Sequence, residues 1–162
     1  MMPDIVDEIG SLRGALSLFA TGVAVVVGQH EKDGLVAATI NSFASVSLSP
    51  PLVLFSYAKS SSRHDRIVGL NQYSINVLRA DQHDIASAFA GNDVDRWRSF
   101  VDPCFSVPPR LKHALATFQC TRYAAHDGGD HTILLSRITR FDMDRSGRAL
   151  VFFNRDYCAL PA

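Results

Sequence analysis

The chain has 162 residues, with Lys plus Arg (16) balancing Asp plus Glu (16), and 47% of its residues are hydrophobic. A chain of this size can bury about 70% of the surface its unfolded form exposes, so a full core in one domain is within reach. Balanced charge lends no support to a nucleic-acid partner or an anionic membrane surface, and no apolar run approaches the ~20 residues that span a bilayer.

Cys104, Cys120 and Cys158 are odd in number and widely spaced, so they form neither a disulfide framework nor a CxxC metal site. Asp4, Asp7 and Glu8 stand where a signal peptide would carry positive charge. The expectation is a reduced, cytoplasmic protein with no membrane and no nucleic-acid partner. Residues 1–162 are read as a single domain, with a helix within 1–22 and a β-rich body over 23–157.

Ile5, Ile9, Leu12, Leu16 and Phe19 recur at steps of three and four, which predicts a helix with one apolar stripe that stops near Gly22. "VAVVVGQ" reads as a strand, "HEKDG" as a hairpin turn around Asp33-Gly34, and "LVAAT" as the returning strand. Neither Pro50 nor Pro51 can donate to a ladder, so "LVLFSY" opens a new strand after them. "SSSRHDRIVGL" predicts a short helix capped by Ser62, with Asp65 three residues on as a capping-box partner.

"YSINVL" is a further strand. Asp81 opens a helix with Ile85, Ala86 and Phe89 on one side, closed by Gly91. From Gly91 to Pro109 the pattern is irregular. "ALATFQCTRY", the turn "HDGGD", "HTILLSRITRF", the turn "DRSG" and "ALVFFN" then form an antiparallel meander. Six or seven strands with three helices predict a mainly β protein, a barrel or sandwich and not a series of βαβ units.

The chain has no GxGxxG after a strand, no GxxxxGK[ST] and no GxSxG. Its unusual segment is Thr39–Ser62, in which nine of 24 residues are Ser or Thr although the apolar run "LVLF" lies in the middle. Lys59, Ser60, Ser61, Ser62 and Arg63 gather at a predicted helix start, where hydroxyls and N–H groups can cradle a phosphate. Capping on a polar loop explains the same residues. His126, Asp127, Asp130 and His131 share one turn and include metal-ligand types, but a two-Gly hairpin accounts for that turn as well. Cys120 sits on the same strand face as Phe118 and reads as a buried structural thiol. Tyr157 fits either terminal packing or a ring that stacks on a ligand.

"FATGVAVVV", "DGLVAATINSFASVSLSPPLVLFS", "YSINVL", "GGDHTILLSRI" and "FFNRDY", in this order, resemble the short-chain flavin reductase family. Members of that family are the reductase components of two-component flavin-dependent monooxygenases. The resemblance implies an antiparallel, Greek-key split β-barrel (the FMN-binding split barrel) that forms a homodimer. It implies NAD(P)H-dependent reduction of free FMN or FAD, with NADH or NADPH as hydride donor and a flavin-dependent oxygenase as partner. Two other activities fit the same barrel: a flavin carrier or sensor without turnover, and an oxidase with tightly held FMN.

The resemblance also implies site residues. Thr39, Ile40, Asn41 and Ser42 would face the isoalloxazine and ribityl chain, and Ser45, Val46 and Ser47 would serve the ribityl chain or phosphate. Ser56, Ser61, Ser62 and Arg63 would complete the phosphate end. His131 in "GDH" would position the nicotinamide, and Tyr157 would border its pocket; no metal is implied. Ile40 stands where the family often has Ala, Ser136 where it often has Gly, and Asp156 where Gly is usual.

Overall fold

The structure is a computed structural model that describes residues 9–32, 34–103 and 108–160. The expected roles of Ile5, Asp33 and Cys104 lie outside the described residues. In chain order the elements are α1 (Ile9–Ser17), β1 (Thr21–Gly22), β2 (Ala24–His30), β3 (Gly34–Ile40), β4 (Ala44–Leu48), β5 (Pro51–Ala58) and α2 (His64–Gly69). Then follow β6 (Gln72–Val77), α3 (His83–Ala90), α4 (Val94–Phe100), β7 (Ala116–Gly128), β8 (His131–Met143), β9 (Leu150–Phe153) and β10 (Asp156–Ala159).

Seven strands form one antiparallel sheet in the order β3-β2-β6-β7-β8-β5-β4, and β1-β9-β10 form a second. The run "AVVV" is buried on both faces of its strand. Ala24 and Val26 join Phe55, Tyr73, Ile75 and Leu134 in one cluster, while Val25 and Val27 join Phe89, Trp97 and Leu150 in another. On β3, Val36, Ala38 and Ile40 face the first cluster and Leu35 and Ala37 the second. Two-sided burial is why these strands read as continuous apolar runs and do not alternate. Each of the buried valines contributes about 1.5–3 kcal/mol.

The β2–β3 and β7–β8 hairpins, and the strand break at the prolines, follow the sequence expectation. Pro51 pairs only with Leu48, and β8 engages β5 from Leu52 onward, so the missing proline donor costs the central ladder nothing. The Ser49–Pro50 peptide is cis. Gly129 takes φ 76° at the first central position of the two-residue β7–β8 turn, which is where a type II′ turn requires Gly.

Several expectations are corrected. Residues 91–109 are not wholly irregular: Asp93 accepts from the Arg96 N–H and starts α4, whose Trp97 packs on Phe89 with ring centroids 5.6 Å apart. Ser62 does not cap α2, and Asp65 is no capping-box partner, since no side chain caps that helix and Asp65 pairs instead with the His64 ring. Gly91 ends α3 in an extended conformation, not a left-handed one. The short strands β1, β4 and β10 go beyond the six or seven expected. Among the described residues the apolar stripe of α1 is left largely exposed: Leu16 is 64% exposed, and Phe19, just past the helix, 77%.

Candidate active site

The hydroxyl-rich segment joins the two edge strands of the large sheet, running from the end of β3 through β4, and then enters β5. Thr39, near the end of β3, donates to the Ala86 carbonyl at 2.7 Å and so ties β3 to α3. Ile40 turns into the interior cluster, 5% exposed, and Asn41 is exposed. These three, with Val23, Ala90, Phe152 and Tyr157, line an open, largely apolar cavity of about 200 Å³.

Tyr157 reaches that cavity from β10. It packs edge-on against Phe152 at 5.4 Å and against His83 at 4.8 Å, and burial raises its phenol pKa. His83, Phe152 and Ala90 were not legible as site residues from sequence, because their part depends on how β9, β10 and α3 meet.

Ser42 is committed to the backbone: its hydroxyl donates to the Ser56 carbonyl at 2.9 Å and accepts from the Ser56 N–H at 3.0 Å. What Ser56 brings here is therefore its main chain. On the edge strand β4, a bulge between Ser45 and Ser47 leaves Val46 out of the ladder. Ser45 and Val46 are exposed, and the Ser47 hydroxyl accepts from the Ser49 N–H.

Beyond β5 the loop turns at Ser61, whose hydroxyl pairs with the Tyr57 phenol at 2.9 Å and accepts from the Arg63 N–H at 3.2 Å. Ser62 is exposed. Arg63, by contrast, is 8% exposed, and its guanidinium donates to the carbonyls of Ala37, Phe89 and Ala90. It lies 5.3 Å from the centre of the Trp97 ring. The charge expected at a phosphate end instead caps the C-terminus of α3 and holds it to β3, where carbonyl dipoles and the ring face stabilise it.

His131 opens β8 opposite Ala58 and Gly128, and its Nδ1 lies 2.7 Å from Asp130 Oδ1. It does not line the Tyr157 cavity. Within one chain Thr39–Asn41 thus share a cavity with Tyr157, whereas His131 pairs with Ala58 just before the 60–62 loop, and Ser42 ties the segment after β3 to Ser56. Lys59 is not turned toward the serines: it pairs with Asp127 and donates to the Gly129 carbonyl at 2.7 Å. Among the described residues, no three His, Cys, Asp or Glu side chains gather into a metal site.

A flavin fits this strip by its chemistry. Exposed Asn41 and the hydroxyls of β4 and of the 60–62 loop offer neutral hydrogen-bonding groups, and Ile40, Phe152 and Tyr157 offer an apolar wall next to Asn41.

The family model described as the flavin reductase like domain matches residues 16–161. The chain belongs to this family. It is 44% identical to the FMN reductase (NADH) SmoA of Agrobacterium fabrum over 146 residues, which cover 88% of this chain and 80% of that protein. It is 37% identical to the reductase component of the flavin-dependent trigonelline monooxygenase of Acinetobacter baylyi. That match covers 85% of this chain, which spans only 45% of the longer relative. The solved structure of the Streptomyces globisporus C-1027 NADH:FAD oxidoreductase SgcE6, in complex with NAD and FAD fragments, superposes with a TM-score of 0.87 at 31% identity. The alignment covers 99% of this chain and 97% of that one. The fold of this flavin reductase family member is the antiparallel split barrel. No described helix is long and apolar enough to cross a membrane, which says nothing of membrane β-barrels.

Proposed function

We propose that this protein reduces free FMN or FAD with NADH or NADPH and passes the reduced flavin to a separate flavin-dependent oxygenase. The observation that carries the reading is the hydroxyl-rich segment from Thr39 to Ser62, whose β5 strand pairs through Ala58 with His131 at the start of β8, on a chain of this family. The named NADH reductases among its relatives favour NADH, and their names include both FMN and FAD. The oxygenase partner follows the naming of the trigonelline monooxygenase component.

A flavin held here would supply the redox chemistry, as the acceptor of a hydride from the reduced nicotinamide. The chain's own groups bind and orient. Thr39, Ile40 and Asn41 form the wall for the ring, with Ser42 and Ser56 fixing where that wall stands. Ser45, Val46 and Ser47 border the ribityl chain, and Ser61 and Ser62 meet the phosphate. Arg63 organises the loop behind them. His131 and Tyr157 bracket the nicotinamide, and neither needs to act as acid or base.

The separation of His131 from the Tyr157 cavity within one chain supports a homodimer in which a second copy completes the cover over the flavin. The free thiols of Cys120 and Cys158 accord with a reducing, cytoplasmic setting.

The deciding experiment is NADH oxidation measured against added FMN and FAD. Saturable dependence on free flavin is the expected result. A yellow protein that oxidises NADH regardless of added flavin would belong with the tightly loaded oxidases, and one that binds flavin without oxidising NADH or NADPH would be a carrier.

A further inference from the structure

Lys59 holds the tip of the β7–β8 hairpin with both its main chain and its side chain. Its N–H donates to the Asp130 carbonyl at 2.9 Å, while its Nζ pairs with Asp127 and donates to the Gly129 carbonyl at 2.7 Å. The same tip carries the contact between Asp130 Oδ1 and His131 Nδ1. The Lys59 side chain is 42% exposed and that of Asp127 77%, so this ion pair contributes little to overall stability. Its three contacts converge on a two-residue turn at the end of a long hairpin, and such tips are loose unless tied down.

The Asp130 carboxylate can only accept, so the ring proton lies on Nδ1 and Nε2 is left as a lone-pair acceptor in the neutral imidazole. The hydrogen bond from His131 also holds the Asp130 carboxyl below the usual carboxylate range. Immediately after Lys59 comes the Ser60–Ser62 loop, itself pinned through Ser61 to Tyr57 and Arg63.

Resting on the reductase reading above, we infer that Lys59 and Asp130 are positioning residues for His131. Asp130 selects the ring tautomer, and Lys59 locks the hairpin tip to the loop assigned to the flavin phosphate. The acceptor Nε2 matches the N–H donors of a nicotinamide carboxamide, and the lock makes the nicotinamide side and the phosphate loop one rigid unit. Loss of either residue should weaken handling of the nicotinamide and leave flavin affinity nearly intact.

The test compares Lys59→Met, Lys59→Arg, Asp127→Asn and Asp130→Asn by two independent readouts. The first is ¹⁵N NMR of the His131 ring in flavin-free protein, assigned with His131→Gln. The wild type should show the Nδ1–H tautomer, Asp130→Asn should lose that bias, and Lys59→Met should broaden or shift the signal. The second is steady-state kinetics with saturating FMN, together with an FMN titration. Lys59→Met and Asp130→Asn should raise the KM for NADH about three- to tenfold, with FMN Kd within about twofold of wild type. Lys59→Arg should recover most of the loss, and Lys59→Met with Asp127→Asn should do less than the product of the two. An unchanged ring spectrum and KM in both Lys59→Met and Asp130→Asn would overturn the inference. So would an FMN Kd that weakens as much as the KM for NADH, since Lys59 would then serve the flavin or the fold. A wild-type protein that oxidises no NADH with FMN or FAD would defeat the reductase reading, while the NMR arm would still decide whether these residues hold the ring.

Discussion

The Ser42 hydroxyl bridges both polar groups of Ser56, accepting from its N–H at 3.0 Å and donating to its carbonyl at 2.9 Å. This one side chain fixes the loop after β3 to the strand that leads to the 59–63 loop. Ser42→Ala leaves a partly buried N–H and C=O without that partner, which costs about 1–2 kcal/mol. For a chain of this length the thermal midpoint should fall by roughly 2–8 °C, and the FMN Kd should rise with the loosened loop. Differential scanning calorimetry and a flavin titration check both. An unchanged midpoint with a large loss of flavin affinity would mean that the hydroxyl serves the flavin directly.

Arg63 presents the opposite case, a cation expected at the ligand and found inside. Arg63→Met strands the carbonyls of Ala37, Phe89 and Ala90 and removes the group lying over Trp97. A destabilisation of about 2–4 kcal/mol is expected, measured by urea unfolding. Arg63→Lys should recover only part of it, because an ammonium cannot fork to three acceptors in one plane. A Met variant as stable as wild type that no longer binds FMN would return Arg63 to the phosphate.

These two residues show what the sequence could and could not reveal. The strands of the barrel were legible because burial writes itself as apolar runs such as "AVVV" and as turn residues such as Gly129. The strip of hydroxyls was legible as composition. Which hydroxyl is committed to backbone and which is open was not, because Ser42 and Ser56 are 14 positions apart and meet only across strands. Arg63 followed serines and so read as part of a phosphate cradle; its inward turn depends on carbonyls of α3, far along the chain. Helix α4 did leave a signal, Asp93 followed by Val94, Trp97 and Phe100 at helical spacing, which the surrounding prolines and glycine obscured.

The barrel interior holds two groups that titrate late. Burial is the main cause in both: the Cys120 thiol is pushed from 9.0 to about 12, and the Tyr73 phenol, bonded to Ser136 at 2.5 Å, from 10.0 to about 12. In the unfolded chain both ionise near their ordinary values, whereas in the folded chain both keep their protons until about pH 12. Stability is therefore full below pH 9 and declines as pH rises from 9 toward 12. Urea midpoints at pH 8 and pH 10.5 should show the fall, and Cys120→Ala should flatten its first part. At pH 8 a thiol reagent should modify exposed Cys158 and leave Cys120 untouched, as peptide mapping would show. An equal rate at both thiols would contradict the burial.

The stripe on α1 and its continuation expose Leu12, Leu16, Leu18 and Phe19 together. A helix whose apolar face is left largely exposed gains stability from a partner surface. With the homodimer proposed above, sedimentation velocity should show a species of twice 17.7 kDa at micromolar concentration. Its interface should bury of order 2,000 Å² or more, as obligate dimers do. Leu16→Glu with Phe19→Glu should shift the protein toward monomer and lower flavin reduction. A fully active wild-type monomer would dismiss the homodimer.

His131 gives the most direct test of the reductase reading. Its ring is held by Asp130, its side chain is 41% exposed, and it begins β8 opposite Ala58 at the end of β5. If it positions the nicotinamide, His131→Ala should slow flavin reduction roughly ten- to a thousand-fold and raise the KM for NADH, the usual consequence of losing one orienting contact. Flavin affinity should scarcely move, because the residues assigned to the flavin belong to β3, β4 and the 60–62 loop. The competing possibility is that His131 merely starts β8 beside the Gly128-Gly129 turn. That role would lower thermal stability and leave the reduction rate of bound flavin unchanged. Stopped-flow reduction by NADH, paired with a flavin titration and a thermal melt, separates the two. A folded variant that reduces flavin at the wild-type rate would remove His131 from the reaction and leave the assignment resting on the strip from Asn41 to Ser62.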